Sequence, residues 1–301
     1  MYITIDGGTS NTRIYSVEQG HVKPLAKAAV GAHNPNKLRI FLKEELARLR
    51  KNDVAAIIAS GMITGCSGIY DLDHINAPAG LHELHNAVQK ATITDITSVP
   101  LTFIPGIKIN SPQIENADIM RGEETELMGL GEISANTAYV LPGTHSKCIM
   151  TDEYGRICNF FTMMTGEMLY AIKQSTIIGS SFEYFNSADE KFLSEGFELA
   201  AKKGINEALF KCRIMDMLYS KNQKEIYSFC LGVILFGELD RIAKTDAKTF
   251  VFGGREALRV PESFLFKKYY KKNTISLDSN ICSKAAALGA VKIYECKTRI
   301  I

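Results

Sequence analysis

Three features of the sequence predict an α/β fold in two lobes, each a mixed sheet with an antiparallel meander and flanking helices. Tyr2–Val17, YITIDGGTSNTRIYSV, reads as strand, glycine turn, strand. Ala138–Met150, AYVLPGTHSKCIM, repeats that pattern, and Gly8 and Gly143 stand 135 residues apart, near half the chain. Val54–Ala59, VAAIIA, is short, apolar and bounded by turn signals, as a buried parallel strand is. The expected boundary between the lobes lies at residues 117/118.

Composition narrows the class. At 301 residues the chain can bury two cores of ordinary size, and 46% hydrophobic with 23% charged residues is usual for a globular protein. A net charge of +2 gives no signal for a polyanion partner, so nucleic acid is not expected. No run of 18 apolar residues predicts a membrane span, and no signal peptide is read at the N-terminus. The cytoplasm is the expected compartment, with the seven scattered cysteines buried and reduced. The oligomeric state is left open between a monomer and a homodimer.

Along the chain, His21–Ala29 completes a first meander. Asn34 or Asn36 caps a helix over Lys37–Arg50, where Leu38, Phe41, Leu42, Leu46 and Leu49 recur at helical spacing. The order βββαβ follows. Ser60–Gly68, SGMITGCSG, is a glycine-rich loop at a strand's carboxyl end, where open α/β sheets bind ligands. His82 and His85 show no metal-ligand spacing and read as ordinary helix or surface residues. Leu101–Pro105 is a further strand, and a helix runs over Glu123–Leu130, with Asp118 available to cap it. Arg156–Thr162 closes a second meander. A mainly helical stretch then includes Met168–Thr176, Ala208–Leu218 and Ile226–Ala243, where Gly232 and Gly237 permit close packing or ligand approach. Thr249–Gly254 reads as a strand ending in Gly253-Gly254 and opening a helix at Arg255–Arg259. Lys267–Lys272 reads as a solvated turn, Thr274–Leu277 as a last strand and Ser283–Tyr294 as a closing helix.

The chemistry-bearing residues cluster at the turns. Gly7 and Gly8 permit positive φ and expose backbone N–H groups to an anion, with Thr9, Ser10, Asn11, Thr12 and Arg13 adding donors. Asp6, at the strand end, suits a magnesium ion held through water, because magnesium dehydrates reluctantly. In the second turn Gly143, Thr144, His145, Ser146 and Lys147 do the same work, with Lys147 a point charge for phosphate. Arg121 suits a substrate carboxylate in bidentate fashion. Glu123 and Glu124 gain from the helix dipole, and their adjacent positions point about 100° apart, so one of them faces a reacting group as a base.

IDGGTSNTR, GMITG, IPGI, MRGEETEL, LPGTHSK, FFTMMTGE and LGVILFGEL occur in this order from Ile3 to about Tyr294. Together they resemble the 2-dehydro-3-deoxygalactonokinase family of the sugar kinase, Hsp70 and actin superfamily. The resemblance implies actin-like ATPase architecture with ribonuclease H-like lobes. It implies ATP- and magnesium-dependent phosphorylation of the 6-hydroxyl of 2-dehydro-3-deoxygalactonate, a small sugar acid. By position, Asp6, Gly8, Thr9, Asn11 and Arg13 match a first phosphate loop, and Gly143, Thr144, His145 and Lys147 a second. Gly253 and Gly254 match an adenosine-side motif, Glu124 falls where superfamily kinases carry a catalytic acid, and Gly61, Met62 and Thr64 lie in a substrate loop. Glu123 is the second choice of base and Asp118 the third. The first turn lacks the bulky residue common after the aspartate in relatives, and CSGIYDL after GMITG lacks their tryptophan-centred pattern. Two alternatives stand beside this reading: a kinase for a different sugar or sugar acid, and a nonenzymatic nucleotide-binding module.

Overall fold

The computed structural model describes residues 1–50 and 53–296. In chain order the elements are β1 (Tyr2–Gly7), β2 (Thr12–Glu18), β3 (His21–Ala28), α1 (Pro35–Ala47), β4 (Ala56–Gly61), β5 (Ile75–Asn76), α2 (Leu81–Asn86) and β6 (Gln89–Ala91). There follow β7 (Leu101–Phe103), β8 (Ile107–Ile109), β9 (Asp118–Met120), α3 (Glu123–Gly129), β10 (Thr137–Leu141), β11 (Ser146–Thr151), β12 (Ile157–Met163) and α4 (Thr165–Ser175). The remainder is α5 (Glu190–Lys203), α6 (Ile205–Tyr219), α7 (Gln223–Ala243), β13 (Thr249–Phe252), α8 (Glu256–Tyr270), β14 (Thr274–Ser276) and α9 (Ser279–Glu295).

Two compact units result: Met1–Ala135 with Thr151–Phe160 and Ser283–Ile301, and Asn136–Met150 with Phe161–Cys282. This differs from a single cut at 117/118, for a packing reason. α3 lies flush on α9: a Cβ at Gly289 would stand 1.8 Å from the Thr125 carbonyl oxygen, and one at Gly129 1.8 Å from that of Ala285. Helix contact this close holds the MRGEETEL segment in the first unit.

The sheet of the first unit has the order β3-β2-β1-β4-β7-β6, and the five-stranded sheet the order β12-β11-β10-β13-β14. Each has a central strand antiparallel to the next in sequence and parallel to a later one: β1 with β2 and β4, β10 with β11 and β13. The first core packs Ile3, Ile5, Ile14, Ile57 and Phe103 from the sheet against Leu38, Leu42 and Leu46 of α1. Asn34 caps α1, its Oδ1 accepting the Lys37 N–H at 3.2 Å. The second core is built on α5 and α7, which touch through glycines. A Cβ at Gly232 would stand 2.0 Å from the Leu193 carbonyl, and one at Gly196 2.1 Å from that of Phe229. Close packing is thus the use of Gly232.

Several expectations are corrected. β4 begins at Ala56, and Ala55 just before it donates its N–H to the Met1 carbonyl at 2.9 Å. Asp118 lies in β9, and Gly122 occupies the N-cap of α3. α4 starts at Thr165, ahead of Met168. α8 runs through Pro261 to Tyr270, so Lys267 and Lys268 are helical; burial of Leu258, Leu265 and Phe266 outweighs the one backbone bond a proline removes. Cys66 and Cys158 are exposed rather than buried. A three-stranded sheet, β5-β8-β9, was not foreseen. Among the described residues no helix is long and apolar enough to cross a membrane.

Candidate active site

In the first unit the strand–turn–strand pattern puts Asp6 opposite Arg13, and Arg13 Nη1 donates to Asp6 Oδ2 at 2.8 Å. Burial works against the Arg13 charge, but the field and hydrogen bond of Asp6 outweigh it and leave the guanidinium more firmly protonated than usual. The turn is braced. Gly8 N–H donates to the Asn11 carbonyl at 2.8 Å, while the Gly8 and Thr9 carbonyls accept from Ala32 and His33 N–H at 3.0 Å each. Thr12 is buried, its hydroxyl on the Val30 carbonyl at 2.7 Å, and Thr9, Ser10 and Asn11 form the exposed tip. Gly7 and Gly8 do not use positive φ. Smallness is what they supply: a Cβ at Gly7 would stand 2.6 Å from that of Ile63.

Positive φ appears instead at Gly61 (82°) and Gly122 (115°). Gly61 pairs with Gly7 across the parallel ladder, and a Cβ on Gly122 would stand 3.2 Å from Gly61 Cα. The start of α3 therefore abuts the ends of β1 and β4, beside Asp6. Helical spacing then divides the carboxylates of EETE: Glu123 and Glu126 share one face, and Glu124 points about 100° away.

Glu124 is fully buried. Its two oxygens accept the Gly122 N–H at 2.9 and 2.8 Å, and Oε1 also accepts the Thr125 hydroxyl at 3.0 Å. Burial, and then the charge of Glu123, pushes its carboxyl up to about 7. The expected base thus locks the first turn of its own helix. Half-buried Glu126, which the sequence reading passed over, lies in the field of Asp6, Glu123 and Arg13. Burial, Asp6 and Glu123 push it up to about 8, with Arg13 pulling the other way. The signal that could have found it is the i,i+3 pair in EETE.

Arg121 differs from expectation. Nη1 donates to the Thr64 carbonyl and hydroxyl at 2.6 and 2.7 Å; Nη2 meets the Leu72 carbonyl at 2.7 Å and His74 Nδ1 at 3.1 Å. All four terminal hydrogens are taken, so a bidentate pair with a substrate carboxylate would have to displace at least one of these bonds. Burial, then Arg121, lowers His74 to about 4, so its imidazole is neutral and can accept. Thr64 is also fully buried, its hydroxyl directed at the Gly61 and Ile104 carbonyls. Arg121 and Thr64 therefore hold the loop that carries Met62. Met62 itself is half-buried.

The second unit repeats the first loop's design. Gly31 and Gly166 stand 135 residues apart, as Gly8 and Gly143 do. A Cβ on Gly31 would meet the Gly8 carbonyl at 2.3 Å, and one on Gly166 the Gly143 carbonyl at 2.3 Å. Glu167 N–H holds the Thr144 carbonyl at 3.0 Å, as His33 holds Thr9. His145 Nε2 and Glu167 Oε2 lie 2.6 Å apart on the exposed side. Lys147, expected as a point charge for phosphate, is buried and turns Nζ toward the His145 carbonyl at 3.4 Å, bracing the loop from within. Gly253 continues the ladder to Val140 at 2.9 Å, and Gly254, at φ 70°, crosses Pro142. The Gly143 and Gly253-Gly254 turns are thus neighbours at the carboxyl ends of β10 and β13.

Among the described residues no group of three or more His, Cys, Asp or Glu could cage a metal. A lone Asp6 carboxylate, with one oxygen engaged by Arg13, fits a magnesium ion held mainly by phosphate oxygens and water.

The family model described as 2-keto-3-deoxy-galactonokinase matches residues 6–275, from Asp6 into β14. The 2-dehydro-3-deoxygalactonokinase of Escherichia coli (strain K12) is 26% identical over 276 residues, 87% of this chain and 89% of the relative. The Rhizobium meliloti (strain 1021) protein named "Probable 2-dehydro-3-deoxygalactonokinase DgoK1" is 32% identical over 183 residues, 59% of this chain and 58% of its own. A crystal structure of a Sinorhizobium meliloti protein provisionally assigned to the same kinase superposes with a TM-score of 0.79 at 21% identity, covering 98% of this chain and 100% of that one, which shows a shared fold. By a match that spans both glycine loops, the chain belongs to the 2-keto-3-deoxy-galactonokinase family.

Proposed function

We propose that this chain is an ATP-dependent sugar-acid kinase that transfers the γ-phosphoryl group of ATP to the 6-hydroxyl of 2-dehydro-3-deoxy-D-galactonate. The observation that carries the reading is the family match over residues 6–275. The two glycine loops hold phosphates, through the exposed tips at Thr9–Asn11 and Thr144–His145. Gly253 and Gly254 border the adenosine. Asp6 would orient the water shell of a magnesium ion bound with ATP, and that ion would neutralise charge on the phosphate oxygens. Arg13, held by Asp6, sets a fixed positive charge beside the first loop. Catalysis of this kind is mostly positioning and charge stabilisation. The reaction belongs in the cytoplasm, where ATP is available.

In this reading the base is Glu126 rather than Glu124. Glu124 is bonded to its own helix, whereas Glu126 is on the face of α3 that feels Asp6 and Arg13. A base must first satisfy reach, and a carboxylate raised toward neutrality is a better proton acceptor than an ordinary one. Glu123 shares that face and is the second choice.

ADP release across a panel of 2-keto-3-deoxy acids, aldonic acids and neutral sugars tests the reading. Turnover should be fastest with 2-dehydro-3-deoxy-D-galactonate. Rapid turnover of a neutral sugar alone would overturn the substrate, and ATP hydrolysis indifferent to every acceptor would overturn the kinase.

A further inference from the structure

α6 is apolar on two opposite faces. Ala208 and Cys212 are buried, and Ile205, Leu209 and Met215 pack on the second core, where α6 meets α5 and α7. At 100° per residue, Phe210, Ile214 and Met217 lie on the far side of the helix, with Leu218 at their edge. Phe210 is 52% exposed, Met217 62% and Leu218 71%, while Ile214 is half-buried. A helix that is hydrophobic all round is normally buried all round. Single exposed apolar residues need no explanation, but these four stand at i, i+4, i+7 and i+8 and form one continuous stripe.

The stripe ends in charges of opposite sign. Glu207, one turn before Phe210, is on the same side of the helix. Lys221 follows Ser220, whose φ is 47°, and its N–H closes the last turn on the Met215 carbonyl at 3.1 Å. Counted from Ile214, Phe210 and Leu218 stand four residues away in opposite directions, and Glu207 and Lys221 seven. Read backwards, the stripe is therefore complementary to itself: acid against base at the ends, apolar against apolar between. Within the chain both end charges have only stretched partners, Lys203 at 3.9 Å from Glu207 and Glu225 at 4.0 Å from Lys221. Such exposed pairs constrain side chains weakly. Lys221 Nζ also rests 5.0 Å from the centre of the Phe192 ring, a contact that a flexible lysine can leave. An anionic lipid surface attracts uniformly basic flanks, and the acid at one end of this stripe does not suit it.

We propose that α6 is the centre of a two-fold interface between two copies of this chain, packed antiparallel about Ile214. Phe210 of each copy lies against Leu218 of the other, Ile214 meets Ile214, and Glu207 faces Lys221 of the other copy at both ends. A two-fold contact requires this kind of self-complementary patch. One helix face, about 22 Å long and about 10 Å wide, covers less than the roughly 800 Å² per partner of a standard interface, so the dimer dissociates in the micromolar range. The inference does not rest on the kinase reading.

Sedimentation velocity on the full chain, from about 1 to about 100 µM, reads the association. Wild type should pass from the mass of one chain to that of two across this range. Leu218→Arg alters a side chain that is 71% exposed, so circular dichroism should not change, and the dimer dissociation constant should rise at least about thirtyfold. Glu207→Lys sets a lysine against Lys221 of the other copy at both ends and should weaken the dimer about tenfold. Adding Lys221→Glu to that variant exchanges the two charges and should restore the constant to within about threefold of wild type. A wild-type chain that stays monomeric at the highest concentration overturns the interface, and so does a dimer that Leu218→Arg leaves intact. A Glu207→Lys variant that associates as wild type does, or one that Lys221→Glu fails to rescue, overturns the antiparallel arrangement.

Discussion

Glu124→Gln separates a helix lock from a catalytic base. Glu124 is fully buried, and its oxygens hold the Gly122 N–H at 2.9 and 2.8 Å. Glutamine keeps one acceptor oxygen for that donor and carries no charge. Raising the carboxyl from 4.5 to about 7 makes its ionised form about 3 kcal/mol less favourable in the folded chain than in the unfolded one. The sign follows from proton binding: the folded carboxyl keeps its proton after the unfolded one has released it. Its contribution to stability is fully present below about pH 4.5 and is lost as pH rises through about 7. Denaturant unfolding at about pH 5 and about pH 8 should show wild type losing roughly 2–3 kcal/mol more than Glu124→Gln. Glu126 and Glu238 titrate in both proteins, so their effects cancel in that difference. Turnover of the variant should stay within about threefold of wild type, because the Glu124 oxygens are spent on the Gly122 N–H and the Thr125 hydroxyl. Identical pH slopes would refute the burial argument, and a fall in kcat of about a hundredfold in a folded variant would return the base to Glu124.

Wild-type activity should rise with pH near 8 in a steady-state profile; Glu126→Gln should abolish that rise and lower kcat by about a hundredfold with little change in ATP affinity. Asp6→Asn should remove most turnover, with circular dichroism unchanged, and raise the magnesium concentration needed for half-maximal rate; wild-type behaviour at limiting magnesium would reject that role. Gly289→Ala places a Cβ 1.8 Å from the Thr125 carbonyl. It should cost at least about 3 kcal/mol in denaturant unfolding, since the obstacle is backbone. Arg121→Met should free the loop around Met62, read as faster proteolysis between residues 61 and 74; an unchanged cleavage pattern would show that the four bonds of Arg121 do not hold that loop.

Much of this arrangement was legible in the sequence. Both meanders and both glycine turns stand out because β-branched strands flank Gly-Thr pairs, and the 135-residue spacing recurs at Gly31 and Gly166. β5 and β8 stayed hidden because strands of two or three residues leave no periodicity to read. α8 was cut short at its proline, where burial decided the outcome. Arg121, Thr64 and Lys147 were read as ligand donors, and the structure adds internal partners that the sequence could not show. Residue type announces a donor, but only tertiary packing reveals that the donor is already satisfied by a buried carbonyl. Glu126 was visible as the i,i+3 partner of Glu123, and its neighbourhood to Asp6 needed the glycine crossing of Gly61 and Gly122.

The most direct test of the central claim is phosphorus NMR of the purified chain with magnesium, ATP and 2-dehydro-3-deoxy-D-galactonate. The account predicts ADP and a phosphomonoester in equal amounts, the ester phosphorus coupled to two equivalent-bond methylene protons, as a 6-phosphate requires. ADP accompanied only by inorganic phosphate, or an ester coupled to a single proton, would contradict it.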